Sequence, residues 1–300
     1  MRVLVIGRTG QISTELLARL PAAGHEALAL EPPDFDMTDA AQVAAAFARF
    51  RPEAVINAAA YTAVDKAEDD QALAFAVNGT GPGLLGEAAA RAGVPVVHYS
   101  TDYVFAGDKP TPYTEDDAPN PAGVYGASKL DGERRLHAAQ PRAVTLRTAW
   151  VCSAHGNNFV KTMLRLGRER PEVRVVADQH GAPTFADDLA DAAVALLPRL
   201  VAAPAGDPVF GVFHLSGQPF TTWHGFAAAI FEGAAQRGQP APKLTAITTA
   251  DYPTRATRPA NSRLDCSRAA QRLGIAAADW RAGLARCLDA LLPVTKESTR

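Results

Sequence analysis

The stretch MRVLVIGRTGQIS, Met1 to Ser13, decides the fold. Four consecutive apolar residues, 3–6, make a strand with no polar face, which belongs in a sheet covered on both sides. Gly7 and Gly10 follow within GRTG, and a helical pattern begins at Gln11. Glycines between a strand and a helix let the backbone turn tightly and bring the free N–H groups of the helix N-terminus against a phosphate. The turn therefore predicts a pyrophosphate cradled by Gly7, Gly10, Gln11 and Ile12, and with it a dinucleotide-binding unit. Ser13 stands where a third glycine is expected, so close helix–strand packing rests on another small residue.

The same alternation continues outward. Residues 27–30, 54–56, 94–99 and 144–146 read as strands, with helical segments such as 11–20 and 41–50 between them. Apolar strands alternating with helices imply a parallel sheet, and right-handed crossovers make it a Rossmann-type doubly wound α/β fold. Its ligands bind at the carboxyl ends of the strands. After Arg147 the pattern changes to loops at 156–158 and 179–184, a Pro/Ala-rich connection at 198–208, a strand at 209–215 and helices at 222–236 and 280–292. The expected organisation is a dinucleotide-binding domain over 1–150, with a return of 180–235 to it. Residues 151–179 and 236–300 then form a smaller, discontinuous substrate-binding domain.

Composition narrows the partners. Of 300 residues, 47% are hydrophobic and 21% charged, with a formal net charge of −2, ordinary values for a soluble globular chain. No basic run favours nucleic acid, and no apolar stretch reaches the length of a membrane span. The opening MRVLVIG is too short for a secretory signal and ends in glycine rather than a cleavage site. Cys152, Cys266 and Cys287 are widely spaced, which reads as buried thiols in a reduced, cytoplasmic protein.

Chemistry concentrates at a few positions. Glu31 ends the second strand about 20 residues beyond the glycine turn, where an acid binds adenosine ribose hydroxyls and favours NAD. Arg8, inside the turn, favours the 2′-phosphate of NADP instead. Asp36 and Met37 sit near the adenine, and in VINAAAYTAVD the small Ala58, Ala59 and Ala60 let a cofactor lie against the backbone. In YGASK, Tyr125 and Lys129 are four apart, so on a helix the phenol and ammonium share one face. A neighbouring cation favours the phenolate and draws the tyrosine pKa towards working pH. Thr101 ends the apolar run in VVHYSTDYVF. His98 in that run reads as a core histidine, and the acidic run 68–70 as a solvated helix face.

These motifs, in this order and spacing, resemble the extended short-chain dehydrogenase/reductases. NAAAYTAVDKAE, NNFVKTMLRL, DQHGAPT, TTADYPT and RPANSRLD narrow the resemblance to the dTDP-4-dehydrorhamnose reductase family, from the first strand to about Leu292. The resemblance implies hydride transfer from NADPH or NADH to C4 of dTDP-4-dehydro-L-rhamnose or a related nucleotide sugar. Tyr125 becomes the proton donor, Lys129 holds the nicotinamide ribose and Thr101 bonds the carbonyl. Asp102 and Trp150 meet the sugar, while Asn158 and Arg258 meet the dTDP group. A 4-ketoreductase for another deoxysugar nucleotide, or a non-catalytic regulatory subunit of the same fold, are the alternatives; keeping Thr101, Tyr125 and Lys129 disfavours the latter. The resemblance also implies a homodimer with Mg²⁺ at its interface, for which Glu15, Asp187 and Asp191 are the matching carboxylates.

Overall fold

The computed structural model describes residues 1–292. Its main sheet contains β1 (Arg2–Ile6), β2 (Glu26–Leu30), β3 (Ala54–Asn57), β4 (Val96–Thr101), β5 (Ala143–Thr148) and the strand Gly211–His214. Across the sheet the order is Gly211–His214, β5, β4, β3, β1, β2, and every neighbouring pair is parallel. The expected doubly wound parallel sheet is the fold. β3, β4 and β5 are buried along their whole length because helices cover both faces. From β1 the chain places β2 on one side and then β3 on the other. Strand order reverses there, and a crevice opens outside the carboxyl ends of β1 and β3.

Helix starts differ in a way that bears on that crevice. α1 (Gln11–Ala22) begins at Gly10 with no side-chain cap, so its first N–H groups remain available. α2 (Ala40–Phe50), by contrast, is capped by the Asp39 carboxylate, which accepts from Ala41 and Gln42. Ser13 is the small residue that stands in for the third glycine. It is fully buried, and a Cβ on Gly7 would lie 2.6 Å from its Oγ.

Apolar packing divides the chain between the sheet and a separate core. One sheet face joins Val3, Ile56, Val97 and Leu146 to Leu16 and Leu20 of α1 and to Leu189, Leu196 and Leu197 of the helix Ala186–Ala202. The other face packs Leu4 and Val55 on Val43, Phe47 and Leu85. The separate core gathers Val160, Met163, Phe185, Phe226, Ile230, Trp280 and Leu288. Residues 180–235 do not return to the sheet as one block. The part around 189–215 does, whereas Phe226, Ile230 and Phe231 turn the apolar face of the helix Trp223–Ala235 into the separate core. Conversely, Ala269 and Leu273 pack with the sheet. Periodicity identifies an apolar face but not which of two cores receives it. Residues 293–300, the end of the expected C-terminal unit, lie outside the described residues. Among the described residues no helix is long and apolar enough to cross a membrane, and the three cysteines are free and buried.

Candidate active site

The crevice between β1 and β3 leads into a cavity of about 790 Å³. Gly7, Gly10, Gln11 and Ile12 line one end with Ala58, Ala59 and Ala60. Gly7 has φ 105°, a conformation that L side chains rarely adopt, and a Cβ there would approach the Ala58 and Ala59 backbone to 3.4 Å. The two turns are thus in contact, and beside them lies an uncapped helix N-terminus. That cradle fits a pyrophosphate.

Glu31, at the foot of this end, is tied to the glycine turn. Its Oε2 accepts from the backbone N–H groups of Arg8 at 2.9 Å and Thr9 at 3.0 Å and from the Thr9 hydroxyl at 3.2 Å. Burial opposes ionisation, yet these bonds hold the carboxyl below its ordinary pKa. Arg8 reaches Glu31 at 3.4 Å and Asp34 at 3.5 Å, so the residues that argue for opposite cofactors form one ion-pair network. Asp36 and Met37 also line the cavity. The Asp36 carboxylate is turned back onto Thr38, and Met37 is a buried wall.

At the other end, Thr101, Asp102, Tyr125, Lys129 and Trp150 converge. Tyr125 and Lys129 belong to the helix Val124–Ala139, whose Val124 N–H donates to Glu68 Oε1 at 2.9 Å. The expected solvated run 68–70 therefore includes a cap for the helix that carries the chemistry. Asp69 meets Arg255, and Asp70 accepts from the Tyr61 hydroxyl. The Lys129 ammonium donates to the Tyr99 carbonyl at 2.7 Å and lies 3.4 Å from His98 Nε2. Burial pushes Lys129 down to about 8, against the field of Glu133. Tyr125 moves opposite to expectation: burial first, then the charge of Asp102, push its pKa well above the ordinary tyrosine value, while the Thr101 hydroxyl pulls it down. The shared helical face is right, but the ammonium is committed to β4 rather than to the phenol. A phenol held protonated is a proton donor rather than a base.

Thr101 Oγ1 donates to Asp102 Oδ1 at 3.0 Å and accepts from the Tyr103 N–H at 3.2 Å. The Tyr103 ring meets the Tyr125 ring edge-on, with centroids 5.4 Å apart. Behind them Arg147 and Glu133, both almost fully buried, form a bidentate pair, and the Ser100 hydroxyl donates to the same carboxylate. This pair bolts the Tyr125 helix to β4 and β5.

Trp150 follows β5 with φ 49°, an uncommon conformation for a bulky residue and one that stores strain beside the cavity. Its indole stacks on Trp223 at 3.7 Å, and the missing side chain of Gly181 makes room for it, since a Cβ there would lie 2.7 Å from the ring.

Two expected ligand contacts are not brought into the cavity. Asn158 is the N-cap of the helix Phe159–Glu169, accepting from Lys161 N–H and donating to Gln11 Oε1 and the Ser153 carbonyl, which uses its amide fully. Its neighbours Gly156 and Asn157 line the cavity instead. Arg258 sits outside the lining, paired with Asp65 and 3.4 Å from the Tyr103 hydroxyl.

In the single chain the three carboxylates matched to Mg²⁺ are each held by an arginine. Glu15 and Asp191 both hold Arg19, at 2.5 Å and 2.6 Å, while Asp187 with Asp188 clasps Arg286 at 2.7 Å. Guanidinium groups already supply the positive charge. Among the described residues no group of three or more His, Cys, Asp or Glu side chains is arranged to hold a metal.

Tyr103, Glu68, Trp223 and Gly181 are the contributors that pattern reading passes over. Tyr103 follows Asp102 directly and Gly181 lies within DQHGAPT, so both stand in motifs already singled out. Glu68 closes NAAAYTAVDKAE, where it reads as a solvated acid, and Trp223 carries no local signal.

The family model described as the RmlD substrate binding domain matches residues 1–292. A dTDP-4-dehydrorhamnose reductase of Sinorhizobium fredii is 44% identical over 298 residues, covering 99% of this chain and 100% of that protein. The crystal structure of a dTDP-4-dehydrorhamnose reductase from Clostridium acetobutylicum superposes with a TM-score of 0.90 at 36% identity, covering 97% and 99% of the two chains. That of the Bacillus anthracis dTDP-4-dehydrorhamnose reductase, in complex with NADP, gives 0.87 at 33%, covering 96% and 98%.

Proposed function

The chain belongs to the dTDP-4-dehydrorhamnose reductase family, and from that premise we propose that it reduces the C4 ketone of dTDP-4-dehydro-L-rhamnose to dTDP-L-rhamnose with NADPH or NADH. The observation that carries this reading is the meeting of Thr101, Tyr125 and Lys129 at one end of a cavity whose other end is the GRTG turn. When bound, the reduced nicotinamide supplies the hydride. Tyr125, kept protonated by burial, donates its proton to the C4 oxygen. Thr101 hydrogen-bonds that oxygen as charge develops on it. Lys129 holds the nicotinamide ribose from the cavity floor. Asp102 and Trp150 face the sugar, and the first N–H groups of α1 receive the pyrophosphate. In this reading the sheet unit serves the cofactor and the separate core serves the nucleotide sugar, with Trp223 bracing Trp150 from that side. The test is direct: the purified chain with NADPH and dTDP-4-dehydro-L-rhamnose oxidises the cofactor and yields dTDP-L-rhamnose by NMR. No oxidation with that sugar rejects the assignment.

Both cofactors are expected to work. Arg8 is half-exposed beside Glu31 and Asp34 and turns to a 2′-phosphate that Glu31 alone would repel. Arg8→Ala is expected to weaken NADPH binding about three- to fivefold, the value of an exposed ion pair of up to ~1 kcal/mol, and to leave NADH unchanged. Dissociation constants for both cofactors check this, and an unaltered NADPH affinity refutes it.

Trp150 offers a test of the sugar end. Gly181→Val drives a side chain into the indole. Overpacking of this kind costs about 1–3 kcal/mol, so KM for the keto-sugar is expected to rise roughly tenfold or more while cofactor affinity holds. Steady-state kinetics with fluorescence titration of NADPH separate the two; equal losses in both would mean a general collapse of the fold.

A further inference from the structure

The pyrophosphate cradle needs only the backbone of Gln11, which opens α1 with a free N–H. Its side chain is bonded instead to residues 151–158, the crossing that carries the chain from Trp150 into the separate core. Nε2 donates to the Val151 carbonyl at 3.4 Å, at the start of the crossing. Oε1 accepts from Asn158 Nδ2 at 2.9 Å, at its end. The Ser153 hydroxyl, 3.2 Å from Oε1, divides its proton between that oxygen and the His155 carbonyl. At the tip a Cβ on Gly156 would lie 3.2 Å from Gln11 Cγ, so the glycine lets the loop rest on the stem. One half-buried amide thus meets both ends of a loop 140 to 147 residues away.

Those ends lead to the sugar side of the cavity. Val151 follows Trp150, whose φ of 49° has to be held by its surroundings. Asn158 caps the helix Phe159–Glu169, and Val160 and Met163 of that helix enter the separate core. A second tie between the crossing and α1 joins His155 to Glu15 at 3.5 Å, but the histidine is half-exposed and such contacts are worth little. The Gln11 amide is the stronger anchor, because losing it strands partly buried polar groups.

Resting on the reductase reading, we infer that Gln11 is, through its side chain, a positioning residue for the nucleotide sugar. It pins the crossing, and with it the Trp150 wall, to the turn that receives the cofactor pyrophosphate. A residue of the glycine turn thereby keeps the sugar wall in register with the hydride donor.

The experiment compares wild type with two substitutions. Gln11→Met keeps the side-chain length and the backbone N–H but gives up every amide bond. Gln11→Glu keeps an acceptor for Asn158 and Ser153 and sets a negative charge beside the pyrophosphate. In Gln11→Met the dissociation constant of dTDP-L-rhamnose, titrated without cofactor, rises about tenfold, as one to two lost hydrogen bonds supply, while that of NADPH stays within about twofold. In Gln11→Glu the split reverses: NADPH binds about tenfold more weakly and dTDP-L-rhamnose stays within about threefold. Labelling with 5-fluorotryptophan gives a readout that needs neither ligand. Of the three tryptophans, Trp150 and its stacking partner Trp223 shift their fluorine resonances in Gln11→Met. Trp280, bonded to the Pro219 carbonyl in the separate core, does not, which shows that the fold is kept. Unmoved Trp150 and Trp223 signals, movement of all three, or equal losses of NADPH and sugar binding in Gln11→Met overturn the positioning role. Wild type that binds no dTDP-L-rhamnose overturns the reductase reading instead, and the fluorine spectra still decide whether Gln11 holds Trp150.

Discussion

Tyr125→Phe is expected to lower turnover of dTDP-4-dehydro-L-rhamnose by about 10²- to 10⁴-fold, the range a positioned general acid contributes. The loss should fall on kcat. The phenylalanine ring still packs against Tyr103, and Lys129 keeps its bond to the Tyr99 carbonyl, so NADPH affinity should stay within about twofold. Raising the pH does not rescue the variant, since Lys129, pushed down to about 8, loses its charge rather than gaining acidity. Single-turnover rates with NADPH fluorescence titration measure both quantities. Turnover within a few-fold of wild type would remove Tyr125 from the donor role.

The second large effect concerns stability. Glu133→Gln removes one charge from a pair in which Arg147 Nη2 and Nε meet the carboxylate at 2.6 Å and 2.9 Å with side chains 5% and 3% exposed. Breaking a buried pair leaves an uncompensated guanidinium and costs about 3–5 kcal/mol. The Ser100 hydroxyl also loses an ionic acceptor, and the Phe105 face 5.1 Å from the guanidinium carbon is poor compensation for it. The thermal midpoint should drop by roughly 10 °C. Replacing both partners with apolar residues, Glu133→Leu with Arg147→Met, should recover much of that loss, because neither charge then needs solvation. A calorimetric series on the two variants decides it. A single variant as stable as wild type would mean that water reaches Arg147.

The same pair explains why the site is ordered. Glu133 is one turn beyond Lys129 on a shared helix, and Ser100 precedes Thr101 on β4. One buried contact therefore locks the phenol and the lysine against the threonine. Sequence spacing alone shows the helix face but contains no sign of the clamp.

The features legible in the chain before folding are local. Apolar runs of three to six residues announced the strands of a parallel sheet, GRTG announced the turn into α1, and the four-residue spacing in YGASK placed Tyr125 and Lys129 on one face. These depend on backbone geometry and on side chains a turn or two apart, which a window of sequence contains. How hydrogen-bonding and charge capacity is shared out emerges only in the folded chain. Asn158 is saturated by partners that include Gln11, 147 residues away, and so caps a helix instead of meeting a ligand. Asp187 is taken by Arg286, 99 residues away, and Glu15 and Asp191 by Arg19, so within the single chain each carboxylate already faces a guanidinium. Lys129 reaches the Tyr99 carbonyl, and Tyr125 and Asp102 are raised by burial that no single segment supplies. Each polar group has few bonds to give, and partners far apart in sequence compete for them only after the chain has folded.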